Sequence, residues 1–399
     1  MKSTLLRPIL SARFRANPAL NIILTDRLPQ SQREKLRELV NEEEYYGVLR
    51  KSGGAGQPDK VIDHETALLF LTMREPGPMP DYVTRKFGED CNRAVAELVL
   101  DGVLEIEDPS TGEFVAGAAA HSLLYVPGER RRKSDNRLVH ISRQALAYAA
   151  RLPLDDVNDV ASRLYRYNTL PFSPKAREAW PRQSLTSLWL AHVDVLDRWH
   201  AASPEEKGKG WLSFSARNSA SAENGNRHLP FKLYISPRPE ALRELWPVIL
   251  QKLALANVPS FKIGGDAQMV FRPDKLVAYL PDFASLSQTA SLLREGLNGS
   301  PAQGVPFTAP IDEAGLLSWG MDPRKEFTAN GRQIAESWRS WIVKELAGAI
   351  VEAKSSPAAI EPVDFALDKL RLQGIDSETW VPKQSMWSST RGRYASTNS

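Results

Sequence analysis

Residues 260–281 read SFKIGGDAQMVFRPDKLVAYLP. The stretch holds two short apolar strands, SFKIG and KLVAYLP, with three cations, Lys262, Arg272 and Lys275, set in and between them. An isolated ammonium or guanidinium group is costly to take out of water. These three side chains therefore either point to solvent from the open face of a sheet or meet a common anion. The rest of the chain decides between the two.

Around this stretch, strands and helices alternate. WLSFSA (211–216) and FKLYIS (231–236) read as strands, and RPEALRELWPVILQKLALAN as a helix with Pro239 in its first turn. FASLSQTASLLREGLNG reads as a helix closed by Gly299; GVPFTA and GLLSWG read as further short strands, and IAESWRSWIVKELAGAIVEA as an amphipathic helix. The pattern predicts an α+β fold, a mostly antiparallel sheet with packed helices, over 206–384. A polar, serine-rich tail, 385–399, reads as disordered.

The first half reads differently. QSQREKLRELVNEEEYYGV (30–48) has a charged helical pattern, and DHETALLFLTM begins with an N-cap, Asp63. MPDYVTRKF forms a short helix, and EDCNRAVAELVL a third that ends near Asp101-Gly102, where glycine takes the left-handed cap. VLEIED-PSTG-EFVAG alternates around a turn, which is a hairpin signal. Three helices and a hairpin are the order of a winged helix, so residues 1–125 read as a mainly helical, winged-helix-like domain. Asp90, Arg93 and Glu97 on the third helix are a poor set for duplex phosphates. AELVLDGVLE is similar to the small winged helices that dock leader peptides by strand addition in ribosomal peptide modification; a structural or dimerising winged helix is the alternative. Residues 126–205 read as a helical connecting region, with SRQALAYAARL, DDVNDVASRLYRYN and SLTSLWLAHVDVLDRWHAA as amphipathic helices and YNTLPFSPKAREAWP as an extended link. GERRRKSDNR (128–137) and KSGGAGQPDK (51–60) read as solvated loops, and ASPEEKGKG (202–210) as a linker.

Composition narrows the function classes. The 399 residues carry 51 basic and 48 acidic side chains, a net charge of +3, too little to make nucleic acid the main partner. The single cysteine, Cys91, allows no internal disulfide, which fits a reducing, cytoplasmic setting. No apolar run approaches the roughly 18 residues of a membrane span. The six histidines are scattered; His192 and His200 sit too far apart on one expected helix to share a metal. No metal and no organic cofactor is expected, and no Walker loop is present.

Lys232 and Tyr234 lie two apart in FKLYIS and so share a face; Lys262 follows thirty residues after Lys232, and Arg272 ten after that. The single helix between the strands of Lys232 and Lys262 suggests that they are neighbours in the sheet. Over about 229–325, KLYIS, PEALRELWPVIL, SFKIGGDAQ and DKLVAYLPDFASLSQTASLLREGLNGSPAQGVPFTAPIDEAGLLSWG resemble the HopA family of type III effectors. That family's domain also serves as a lyase beside a separate kinase-like enzyme in class V lanthipeptide pathways. Lys232-Leu-Tyr234-Ile-Ser236, then Lys262, then Arg272 is also similar to the K-x-H-x-S strand, second lysine and arginine of phosphothreonine lyases; Tyr234 stands where those enzymes carry their general acid, a histidine.

The resemblance implies elimination of phosphate from phosphoserine or phosphothreonine of a ribosomal precursor peptide, giving dehydroamino acids. A base lysine must be neutral, which needs desolvation or crowding by other cations; Lys262 beside Lys232, Arg272 and Lys275 fits. Fixed cations stabilise the phosphate and the developing enolate, and arginine binds two phosphate oxygens at once. Lys262 is the expected base, with Tyr234 or His228 as acid, and Lys232, Arg272 and Lys275 as substrate-binding cations. Arg272 also reads as a surface charge and Lys275 as a turn residue; Arg294, Arg324 and Arg339 are further candidates that the sequence does not rank. The expected partners are a phosphorylated precursor peptide and a kinase-like phosphotransferase. The rival readings are a non-catalytic HopA-like scaffold and a secreted effector.

Overall fold

The computed structural model describes residues 6–36, 45–52, 60–126, 136–180, 182–191, 197–202, 210–217, 229–322, 326–327, 333–334 and 337–382. Residues 53–59 and 203–209, most of the basic run, residues 383–399, His192, His228 and Arg324 lie outside the described residues.

The first part interleaves strands and helices in the order β1 (Arg13–Ala16), β2 (Leu20–Leu24), α1 (Gln30–Lys35), β3 (Tyr45–Lys51), β4 (Lys60–Asp63), α2 (His64–Thr72), β5 (Gly77–Pro78), α3 (Asp81–Phe87), α4 (Cys91–Leu100), β6 (Leu104–Glu107) and β7 (Phe114–Val115). Asp63 caps α2 by accepting a hydrogen bond from Thr66 N at 2.7 Å. Gly102 closes α4 with φ +71°. The charged helix expected over 30–48 is cut short: Tyr45–Lys51 is a strand, because Val48 and Leu49 are buried in a sheet ordered β2-β3-β4. A second sheet, β5-β1-β6-β7, carries the predicted hairpin.

Helices α5 (His121–Leu124), α6 (Arg137–Arg151), α7 (Val157–Arg166), α8 (Pro174–Ala179) and α9 (Arg182–Leu190) follow. The long helix expected through His200 does not form. The chain leaves α9 and returns as strand β8 (Trp199–Ala202), since Trp199 is wanted in the core against Phe261, 5.1 Å between ring centres.

The mixed fold expected after residue 206 is present. Strands β9 (Trp211–Ala216), β10 (Phe231–Ile235), β11 (Ser260–Gly264), β12 (Leu276–Leu280), β13 (Ala309–Pro310) and β14 (Leu317–Met321) join β8 in one antiparallel sheet. Its order is β13-β14-β10-β12-β11-β9-β8. Helices α10 (Pro239–Leu255), α11 (Ala267–Val270) and α12 (Phe283–Gly296) are connections, and α13 (Trp338–Ser355) and α14 (Pro362–Leu372) precede a short closing hairpin, Ile375–Asp376 with Val381–Pro382. GVPFTA is mostly loop: Phe307 takes φ +62°, which no strand accommodates.

Strand alternation divides the sheet into two chemistries. One face presents Phe214, Phe261, Ala278, Leu233 and Trp319 in register, and Trp246 of α10 and Phe283 of α12 pack on it. The opposite face presents the polar residues. α13 lies over this face at β14, so close that a Cβ on Gly320 would run into the Trp338 ring. α13 also packs on α7 and α14, and α14 on α4, so the core runs unbroken from Ile9 to Trp380. Among the described residues, no helix is long and apolar enough to cross a membrane.

Candidate active site

Register places the candidates. Lys232 stands opposite Tyr279, and Tyr279 opposite Ser260. Two pairs along, and so back on the same face, Tyr234 stands opposite Val277, and Val277 opposite Lys262. Directly opposed residues of an antiparallel sheet share a face, so Lys232, Tyr234 and Lys262 emerge on the same side. The strands of the two lysines are not neighbours, as the connectivity had suggested. β12 runs between them and puts Tyr279 there, with Lys232 Nζ 5.4 Å and Lys262 Nζ 5.7 Å from its ring centre.

Each cation has a partner that holds it. Lys232 Nζ lies 2.6 Å from Asp322 Oδ2, while Asp322 Oδ1 accepts the backbone N–H of Trp338 at 2.7 Å. That carboxylate therefore ties β10 to the start of α13. Arg272 follows α11 in the turn before β12. Its Nε and Nη2 donate to the two oxygens of Asp274 at 2.9 and 2.8 Å, and Nη2 also donates to Tyr165 Oη at 3.0 Å. Arg339 reaches the same carboxylate from α13, Nη1 to Asp274 Oδ2 at 2.7 Å, and donates from Nη2 to Tyr165 O at 2.7 Å. Its Nη1 contact is an ion pair without an aligned hydrogen bond, and its Nε, also buried, has no hydrogen-bond partner. Lys262 Nζ sits over the Trp211 ring at 4.4 Å, and Arg272 faces the same ring at 5.4 Å.

The electrostatics follow. Burial, reinforced by the charges of Lys232 and Arg272 against the opposing pull of Asp274, brings the Lys262 ammonium down to about 8. Burial favours the neutral Asp274 acid, but Arg339 and Arg272 override it and hold the carboxyl well below the usual range. Arg272 stays firmly protonated because Asp274 outweighs its desolvation. Burial, with Asp322 nearby, pushes the phenols of Tyr234 and Tyr279 up, so both remain protonated. Lys232, Arg272 and Arg339 face two carboxylates, Asp274 and Asp322, which leaves one positive charge before Lys262 is counted.

Lys275 is not part of this surface. It is fully buried, its amine donating to Pro237 O at 2.9 Å and to Gln303 Oε1, so a substrate cannot reach it. It is not an exposed turn residue either. Of the three unranked arginines, the structure brings in Arg339; Arg294 is exposed on α12, across the sheet. His228 and Arg324 lie outside the described residues. Tyr165, Trp211, Asp274, Tyr279 and Asp322 were not singled out from the sequence. Tyr279 alone carried a usable signal, being two residues from Val277 on the β12 face that opposes Lys262.

Among the described residues, no group of three or more His, Cys, Asp or Glu side chains is placed to hold a metal. The cluster is a set of cations around aromatic rings, suited to an anion. No family model and no curated protein matches the chain. Among solved structures it is similar to an effector protein from Pseudomonas syringae pv. tomato strain DC3000, with 11% identity, 62% of this chain and 98% of that chain covered, and a TM-score of 0.39. It is similar also to an effector from Pseudomonas syringae pv. syringae strain 61, at 13% identity, 63% and 99% coverage and a TM-score of 0.37. The type III effector and phosphothreonine lyase OspF from Shigella flexneri follows at 12% identity, 39% and 99% coverage and a TM-score of 0.27. Likenesses this distant carry no argument about chemistry, which rests on the residues themselves.

Proposed function

We propose that this chain is a lyase that eliminates phosphate from phosphoserine or phosphothreonine in a peptide. The observation that supports it most directly is Lys262: an amine held near neutrality at about 8, between aromatic rings, on the sheet face that also carries Lys232. A lysine acts as a base only when its pKa is lowered in this way. In the proposed reaction the neutral Lys262 amine takes the Cα proton. The C–H electron pair forms the Cα=Cβ bond, the Cβ–O bond breaks, and phosphate leaves with that electron pair. Lys262, now an ammonium, returns its proton to solvent. Lys232 stabilises the enolate that develops on the substrate carbonyl, and Arg272, backed by the buried Asp274–Arg339 pair, receives the phosphate. Tyr234 is the proton donor we assign to the leaving group, the phenolate regaining a proton from solvent after phosphate departs; its raised pKa keeps the phenol protonated between turnovers.

The substrate we propose is a ribosomal precursor peptide phosphorylated by a separate kinase-like enzyme, with the winged-helix-like part over 63–118 handling peptide or partner. A second reading, a non-catalytic scaffold, is favoured by one observation: Arg272, Arg339 and Lys232 are already paired with Asp274 and Asp322. The deciding experiment follows loss of phosphoric acid from a phosphorylated peptide by mass spectrometry. Lys262→Ala is expected to lower the rate by about 10²–10⁴-fold, the usual worth of general-base assistance, while peptide binding is retained. Lys262→Arg is expected to fail too, because a guanidinium stays protonated. Peptide binding by the wild-type chain without any elimination would make the scaffold reading the right one.

A further inference from the structure

Lys275 was singled out as a substrate cation and the site does not use it as one, yet it is among the largest fully buried side chains in the molecule. Its amine reaches Pro237 O, just past the end of β10, and Gln303 Oε1. The Gln303 amide in turn donates to Asn168 O at 2.7 Å and to Phe271 O at 3.0 Å. Asn168, at φ +66°, donates back to Gln303 O at 2.9 Å and Gly304 O at 2.8 Å. Ser236 completes the weave: its hydroxyl donates to Pro273 O at 2.6 Å and accepts from Gly304 N at 3.1 Å.

Three segments meet at this knot, and each carries part of the cluster. β10 brings Lys232 and Tyr234. The turn 271–275 brings Arg272 and Asp274. The end of α7 brings Tyr165, which touches both arginines. We infer that Lys275 and Gln303 are positioning residues, fixing these three segments against one another so that Arg272, backed by the buried Asp274–Arg339 pair, presents a preformed anion site. The inference rests on the phosphate-site reading above. Burial pulls the Lys275 amine down to about 7, but either protonation state has enough N–H groups for both acceptors, so the clamp does not depend on a full charge. Displacements on the order of 1 Å in such supporting shells cost up to about 10²-fold in function.

The test uses the full chain and inorganic phosphate, with binding followed by calorimetry. Lys275→Met and Gln303→Leu are each expected to weaken phosphate binding at least tenfold. The double variant is expected to be no worse than the weaker single, because both remove the same knot. Gln303→Glu, which keeps an oxygen against the Lys275 amine, is expected to retain more affinity than Gln303→Leu. In the peptide assay the loss is expected in KM rather than kcat. A purely architectural role predicts the opposite: a smaller folded fraction by circular dichroism that binds phosphate with wild-type affinity, at unchanged KM. That result, or additive losses in the double variant, overturns the inference. A wild-type chain that binds no phosphate overturns it too. A wild type that binds phosphate but eliminates nothing sinks the lyase proposal and leaves this inference standing on the binding data.

Discussion

Lys232→Met separates the electrostatic account of Lys262 from a merely geometric one. Lys232 and Lys262 each lie within 6 Å of the centre of the Tyr279 ring, at 5.4 and 5.7 Å, so their charges are no more than about 11 Å apart. At an effective dielectric constant near 20 two unit charges at that distance repel by about 1.5 kcal/mol, or about one unit of acidity. Removing the Lys232 charge takes away this push. It also leaves Asp322, its partner at 2.6 Å, uncompensated, and Asp322 favours the protonated form of Lys262. Both changes act in the same direction, so the Lys262 amine is expected to rise from about 8 to about 9 or above. At pH 7 the neutral fraction then falls from roughly one tenth to roughly one hundredth.

The direct assay is the pH dependence of Lys262 labelling by an amine-selective acylating reagent, read by mass spectrometry, which does not require turnover. In wild type the midpoint is expected at about 8; in Lys232→Met it moves to higher pH. If the proposed elimination occurs, kcat is expected to follow the same curve, with the variant's deficit at pH 7 shrinking as the pH approaches 10. A midpoint that stays put or moves down refutes the argument that the neighbouring cation holds Lys262 near neutrality.

Two further predictions address the frame. Gly320→Ala is expected to destabilise the fold by roughly 1–3 kcal/mol, the usual range for overpacking a filled core, measured by urea unfolding, because the new methyl meets the Trp338 ring; a neutral change would mean that α13 is not seated on β14 as described. The chain is expected to show no sub-micromolar, salt-dependent binding to duplex DNA by fluorescence anisotropy, since Arg93 on α4 is spent on Leu372 O at 3.1 Å and on Asp90 at 3.3 Å; tight binding that weakens steeply with salt would contradict this.

Local signals carried the sheet. Strands β9, β10, β11, β12 and β14 and helices α10, α12 and α13 lie where alternation, proline and glycine placed them. The failures are of one kind, segments whose partner is distant. Tyr45–Lys51 sits beside a run of charges that favours a helix, but pairing with Leu20–Leu24 and Lys60–Asp63 buries Val48 and Leu49 and overrides that preference. Trp199–Ala202 continues a helical rhythm, yet β9 offers it an open edge and Phe261 a ring to pack on.

The site was legible to the same depth. Strand alternation is local, so it fixed that Lys232 and Tyr234 share a face, while the face of Lys262 waited on the register of β12 with its neighbours. It could not show that β12 would part the two lysine strands, because strand order is decided by long-range pairing. The carboxylates escaped for a similar reason. Asp274 is two residues from Arg272, a spacing that says little in a turn, and only the arrival of Arg339 from α13, 65 residues later in the chain, turns it into a buried hinge between two guanidinium groups. Lys275 shows the converse. Its position beside three other cations made it look like part of an anion site, but burial decided its role. A lysine with no exposed surface must spend its donors inside the protein, and Lys275 spends them on Pro237 and Gln303. The cations of residues 260–281 therefore divide by exposure rather than by spacing. Lys262 and Arg272 keep a partly open path to an anion, while Lys275 holds the backbone on which the Arg272 turn depends.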